Sequence, residues 1–175
     1  MAVCVHWQRA QILYEHRRYD RCAEEVRLCL ADYPDDSACH SMLAFCLNAL
    51  GQREEARKEA VQGILLSPES SYAHATYAHI LKSQQLFDRA EVAAVESLRL
   101  NPGEAHVWRM LAHIRLNRDE LPAALDAADQ AVSLEPDYPY GLNVRGQILR
   151  KMYRHDEALI MAQSALRLEP DDSHT

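Results

Sequence analysis

Nine histidines and five cysteines are the residues of this chain whose types could do chemistry. His79 and His113 stand 34 residues apart and invite an acid–base role, since imidazole titrates near neutral pH. Cys39 and His40 adjoin, the ingredients of a thiolate nucleophile and its base. His6, His40 and His74 recur at the same 34-residue interval and suggest a shared metal. None of these develops into a motif. No serine, cysteine or carboxylate is fixed beside His79 or His113 by a recognisable spacing, and no glycine-rich phosphate loop is present. Sequence neighbours on a helix point in different directions, which separates Cys39 from His40. The expectation is no catalytic residue, no metal and no cofactor.

The interval itself is the stronger signal. Pro34, Pro68, Pro102, Pro136 and Pro170 are each separated by 34 residues, without insertion. In that register the chain divides into blocks 3–36, 37–70, 71–104, 105–138 and 139–172, a single array, and 173–175 begin what would be a sixth. Small residues align within the blocks. Ala10, Ala44, Ala78, Ala112 and Gly146 share the eighth place; Cys22, Ala56, Ala90, Ala124 and Ala158 the twentieth; Cys29, Gly63, Ser97, Ala131 and Ala165 the twenty-seventh. Two helices cross closely where side chains are small, so Cys22 and Cys29 read as substitutes for alanine.

Each block holds two apolar-periodic stretches around a polar break such as LGQREEA or NRDELPAA, the pattern of a helical hairpin. Asp36 and Ser37 are placed to cap a first helix, Gly51 to end one and Pro122 to open a second. The recurrent proline stops each second helix, because it lacks an amide donor and restricts the residue before it.

Composition agrees. Nearly half the residues are apolar, alanine and leucine abound and glycine is scarce, which favours helix over disorder. A formal charge of −7 argues against nucleic acid as a partner, whose nonspecific binding rests on a basic surface. No run approaches the ~18 apolar residues of a membrane span, so no direct membrane insertion is expected, and the N-terminus lacks the order of a signal peptide. The cysteines are odd in number and form no C-x-x-C pair, consistent with free thiols in a reducing, cytoplasmic setting.

Period, small-residue places and terminal proline together resemble the tetratricopeptide repeat (TPR) across 3–172, best in HVWRMLAHIRLNRDELPAALDAADQAVSLEP at 106–136. The resemblance implies an all-α, α-α superhelical solenoid of five helix-turn-helix repeats. The chain departs from the family pattern at the fourth place, where His6, His40 and His74 precede Trp108 and Leu142, and at Arg9, Arg145 and Arg115, where leucine or an aromatic is usual. In stacked hairpins, equivalent atoms lie on the order of 10 Å apart while a zinc ligand sits about 2 Å from its metal, so one ion cannot join the histidine ladder.

In the resembled family the first helix of each repeat lines a concave groove. Carried over by place, this assigns Trp7, Gln11 and Tyr14; then Ser41, Met42, Phe45 and Asn48; Tyr72, Thr76, His79 and Lys82; His106, Arg109, Met110, His113 and Leu116; and Tyr140, Asn143, Gln147, Arg150 and Lys151. Aspartate is absent from these places, whereas acids crowd the turns and the starts of second helices. An acidic body around a neutral-to-basic groove is expected, suited to a protein or peptide partner with apolar anchors and acidic groups. The lysine–asparagine–arginine clamp by which one TPR subtype grips a chaperone's C-terminal carboxylates is missing: its places hold Trp7, Gln11, Met42, Tyr72 and Thr76. A non-enzymatic scaffold or adaptor is the first expectation. The alternatives are end-to-end homo-oligomerisation through uncapped faces, and the targeting array of a longer protein whose effector or membrane-anchoring part lies elsewhere.

Overall fold

The computed structural model describes residues 5–168, and among them it is helical throughout, without strands. Cys4, Pro170 and the start of a sixth repeat at 173–175 lie outside the described residues. Packing divides the chain into two compact units, Met1–Leu100 and Asn101–Thr175. The first unit carries α1 (Val5–Glu15), α2 (Tyr19–Asp32), α3 (Ser37–Ala49), α4 (Arg53–Leu66), α5 (Ser71–Ser83) and α6 (Phe87–Leu100). The second carries α7 (Ala105–Asn117), α8 (Leu121–Leu134), α9 (Pro139–Lys151) and α10 (His155–Leu168). Each successive pair is an antiparallel hairpin inside one 34-residue block. No helix of the described residues is long and apolar enough to cross a membrane.

Local chemistry sets the ends. Asp36 caps α3, its carboxylate accepting the Cys39 amide at 2.9 Å, and Ser70 caps α5 through Ala73. Pro122 stands in the first turn of α8. The turn inside each hairpin needs one left-handed residue, and it falls at the same place every time: Arg17, Gly51, Gln85, Asp119 and Tyr153 have φ of 55°, 80°, 62°, 63° and 61°. Only Gly51 announces this in sequence.

Small residues let the helices of a hairpin meet. Ala10, Ala44, Ala78 and Ala112, and facing them Cys22, Ala56, Ala90 and Ala124, are fully buried. Gly63 marks a tight crossing: a Cβ there would stand 2.9 Å from Ser41 Oγ and 3.3 Å from the Ser37 carbonyl oxygen. Ser37 uses that proximity to donate to the Gly63 carbonyl at 2.8 Å, as Ser71 receives from Ser97 Oγ at 2.9 Å. Hairpins of a unit then stack, α2 on α3, α4 on α5 and α8 on α9, with first helices also adjoining (α3 on α5, α7 on α9). Leu47, Leu81, Leu111 and Leu149 are buried in these seams, each contributing about 2 kcal/mol.

The cysteines behave as the small apolar residues their places require. Cys22, Cys29, Cys39 and Cys46 are buried, free thiols. Cys39 Sγ lies 3.4 Å from Cys29 Sγ, and burial pushes the Cys39 thiol upward. A hydrogen bond with Cys22, followed by burial, does the same to Cys46. Both of these raised thiols are held protonated and unreactive.

Candidate functional site

The places of the first unit that were expected to face a groove bring together an aromatic row. Tyr14 on α1 meets Phe45 on α3 edge-on at 5.1 Å, and Phe45 stacks on His79 of α5 at 4.8 Å. Tyr19, from the start of α2, closes against both Tyr14 and Phe45 at 6.1 Å. Burial, then the neighbouring Tyr72 and Tyr19, push the Tyr14 hydroxyl up to about 12. One turn beyond His79 on the same face of α5, half-buried Lys82 forms no ion pair among the described residues, and burial lowers its pKa. Asn48 is held beside it by register, accepting from Ser83 Oγ at 2.9 Å. Tyr72 exposes 45% of its surface, although its hydroxyl end is desolvated and shifted upward. Gln11 is exposed and Trp7 half-buried, packed on the core of this unit.

In the second unit Tyr140 stacks on His113 at 5.8 Å and its hydroxyl bonds His113 Nε2 at 2.9 Å. Tyr140, Asn143, Gln147 and Arg150 line one side of a cavity of about 580 Å³, and His155 and Leu159 of α10 line the other. His106 is exposed, 3.5 Å from Glu104.

Other expected groove residues are placed differently. Met42, Thr76, Arg109 and Met110 are buried, as are Ser41 and Leu116, so they form packing beneath the surface rather than accessible contact. Arg109 is spent internally: its Nη1 lies 2.5 Å from Glu135 and its guanidinium 4.2 Å from the centre of the Tyr138 ring. Lys151 is likewise tied to Asp119 at 3.2 Å. The groove charge expected at these two positions is therefore neutralised locally, which leaves Lys82 and Arg150, of the cations expected in the groove, without an ion pair among the described residues. Tyr19 and His155 were not anticipated, because they stand on second helices, while Leu159 was expected only on the exposed apolar face of the last hairpin.

The histidine ladder has a structural role. His40 Nε2 lies 2.9 Å from the Pro34 carbonyl oxygen and His74 Nε2 lies 2.8 Å from that of Pro68. His6 and His40 also place Nδ1 against Glu25 and Glu59, at 2.6 and 2.7 Å. Among the described residues no group of three potential ligands is arranged to hold a metal.

This architecture matches solved structures closely enough to define the fold. TTC0263, a thermophilic TPR protein of Thermus thermophilus, superposes with a TM-score of 0.84 at 21% identity, covering 94% of this chain and 90% of that one. PilF of Pseudomonas aeruginosa gives 0.85 at 15% identity over 93% and 74% of the two chains. YrrB, a TPR protein with an unusual peptide-binding site, gives 0.71 at 13% identity over 97% and 88%. No family model matches the sequence, and no curated protein matches it. The chain has the tetratricopeptide-repeat fold.

Proposed function

We propose that the chain is a non-enzymatic scaffold or adaptor whose first helices hold a segment of a partner protein. The observation that carries this reading is the row Tyr14–Phe45–His79 with the unpaired Lys82 beside it. Aromatic edges offer apolar contact, and a desolvated ammonium without a counter-ion favours a carboxylate that restores its charge balance. The partner segment therefore carries an apolar anchor and an acidic side chain. The likeness to YrrB, a protein described by its peptide-binding site, supports the same use of the fold. Random-peptide display on the full chain tests it. Enriched peptides should pair an aromatic or aliphatic residue with Asp or Glu, and Lys82→Glu should weaken them at least about tenfold. Absence of enrichment, or equal affinity for Lys82→Glu, overturns the reading.

A second reading is self-association, favoured by the exposure of Leu159, Ile160 and Leu166 on α10 at 58%, 54% and 63%. Sedimentation equilibrium decides it: concentration-dependent mass that Leu159→Glu abolishes supports it, and a monomer at all concentrations removes it.

A further inference from the structure

A cavity of about 420 Å³ opens between the second helices α4 and α6, with Tyr77 of α5 on its floor. It is distinct from the aromatic row, because Tyr77 and His79 are two residues apart and point about 200° apart around α5. Its lining carries Arg57, Lys58 and Arg89 against the single carboxylate of Glu54, a local charge of +2 on a chain of net −7. Glu54 is committed to Arg57 by hydrogen bonds within one turn of α4. Lys58 lies in the field of Glu54 without a close ion pair, and Arg89 forms no ion pair among the described residues.

The donor geometry matters more than the charge. Arg89 Nη2 donates to the Tyr77 hydroxyl oxygen at 2.6 Å. That bond occupies the oxygen as an acceptor, which leaves the phenolic hydrogen free to donate outward. It also consumes one of the five guanidinium N–H groups and neutralises none of the guanidinium charge. Tyr77 is half-buried and belongs to the packing around the core, so it fixes the arginine head at the cavity wall. A hydroxyl donor, a held guanidinium and a lysine ammonium thus converge on one space, with Gln62 supplying a further amide.

We propose that this cavity is a binding site for a phosphate monoester, supplied either by a phosphorylated side chain of a protein partner or by a small phosphorylated molecule. A monoester carries a charge of about −1.5 to −2 at neutral pH, matching the local excess, and presents three acceptor oxygens to the three kinds of donor. A carboxylate presents two oxygens and half the charge. Planar arginine forks recognise such oxyanions by paired hydrogen bonds.

Calorimetric titration of the full chain with inorganic phosphate, phosphoserine, a short phosphoserine peptide and acetate tests the assignment. Phosphate should bind saturably, with acetate weaker, and Arg89→Gln or Tyr77→Phe should each lower phosphate affinity about tenfold. Both variants keep the apolar part of the side chain, and an unchanged thermal melt verifies that the fold is intact. A peptide binding more tightly than free phosphate identifies the protein-borne source; equal affinities identify the small molecule. Absence of saturable phosphate binding, acetate binding as strongly as phosphate, or undiminished affinity in a folded Arg89→Gln protein overturns the proposal.

Discussion

Trp108 donates its indole N–H to the carbonyl oxygen of Pro102 at 2.9 Å, and in doing so makes the bond that His40 makes with Pro34 and His74 with Pro68. The proline carbonyl sits in the turn before each first helix, where no helical amide reaches it. A ring nitrogen at the fourth place satisfies it and pins the incoming turn to the helix that follows. Imidazole and indole are interchangeable here because both offer an N–H at the far edge of a flat ring.

Trp108→Phe keeps the ring and removes the donor, and should cost about 1 kcal/mol in urea unfolding, at the low end because the bond is solvent-exposed. His74→Phe should cost a similar amount, whereas His74→Trp restores the donor and should hold stability close to wild type. Equal losses for His74→Phe and His74→Trp would show that ring volume, not the hydrogen bond, matters at this place.

The inner turns of the hairpins carry strain that substitution can remove. Gln85, with φ of 62°, lies in the left-handed region that a side chain disfavours by about 1–2 kcal/mol, partly offset by the entropy glycine loses on folding. Gln85→Gly should therefore raise stability by about 0.5–1 kcal/mol. Gly51→Ala should lower it by about 1 kcal/mol through backbone conformation alone, since a Cβ there would meet nothing within 4 Å.

These turns also show what was legible. The 34-residue period, the caps at Asp36 and Pro122 and the small residues at crossings are local or periodic features, and they locate all ten helices of the described residues. The left-handed place was visible only at Gly51, because Arg17, Gln85, Asp119 and Tyr153 obey a conformational demand that their types do not advertise. The places expected to face a groove do not all become free surfaces. Arg109 and Lys151 find acids on neighbouring elements, Glu135 and Asp119, and no single-helix pattern encodes those pairings.

That difference makes Arg109 a stability residue. Its side chain is 10% exposed, while Glu135 remains half-exposed, so Arg109→Glu puts two carboxylates where an ion pair stood. The expected loss is about 3 kcal/mol in denaturant unfolding. Lys151→Glu, at an exposed pair, should change stability by less than about 1 kcal/mol. Similar small effects for both would mean that Arg109 reorients to solvent.

Ser41 and Gly63 are coupled across the hairpin of α3 and α4. Ser41 Oγ is buried with no hydrogen-bond partner among the described residues, so Ser41→Ala should stabilise by about 1 kcal/mol. Gly63→Ala should destabilise by about 1–3 kcal/mol through contact with Ser41 Oγ and the Ser37 carbonyl. Combining them should recover part of that loss, because only the hydroxyl contact is relieved. Strict additivity in a double-mutant cycle would deny the contact.

Tyr14 makes the aromatic row sensitive to alkali. Its hydroxyl is raised from 10.0 to about 12 by burial, with Tyr72, Tyr19, Cys46 and Cys22 adding repulsion to the phenolate. The folded state therefore holds the proton more tightly than the unfolded chain. Its contribution to stability is fully present below pH 10 and is lost as the pH rises through about 12. The upward-shifted thiols of Cys39 and Cys46 act in the same sense, while Lys82, with its lowered pKa, acts oppositely as it sheds its proton. Comparing wild type with Tyr14→Phe cancels those shared terms. The difference in unfolding free energy should be constant below about pH 9 and should shift in favour of Tyr14→Phe as the pH climbs past the ordinary tyrosine value. Ultraviolet titration should show one phenol ionising near pH 12 that is missing in the variant. A difference curve that stays flat to the alkaline limit would place the Tyr14 hydroxyl in water and remove it from the packed row.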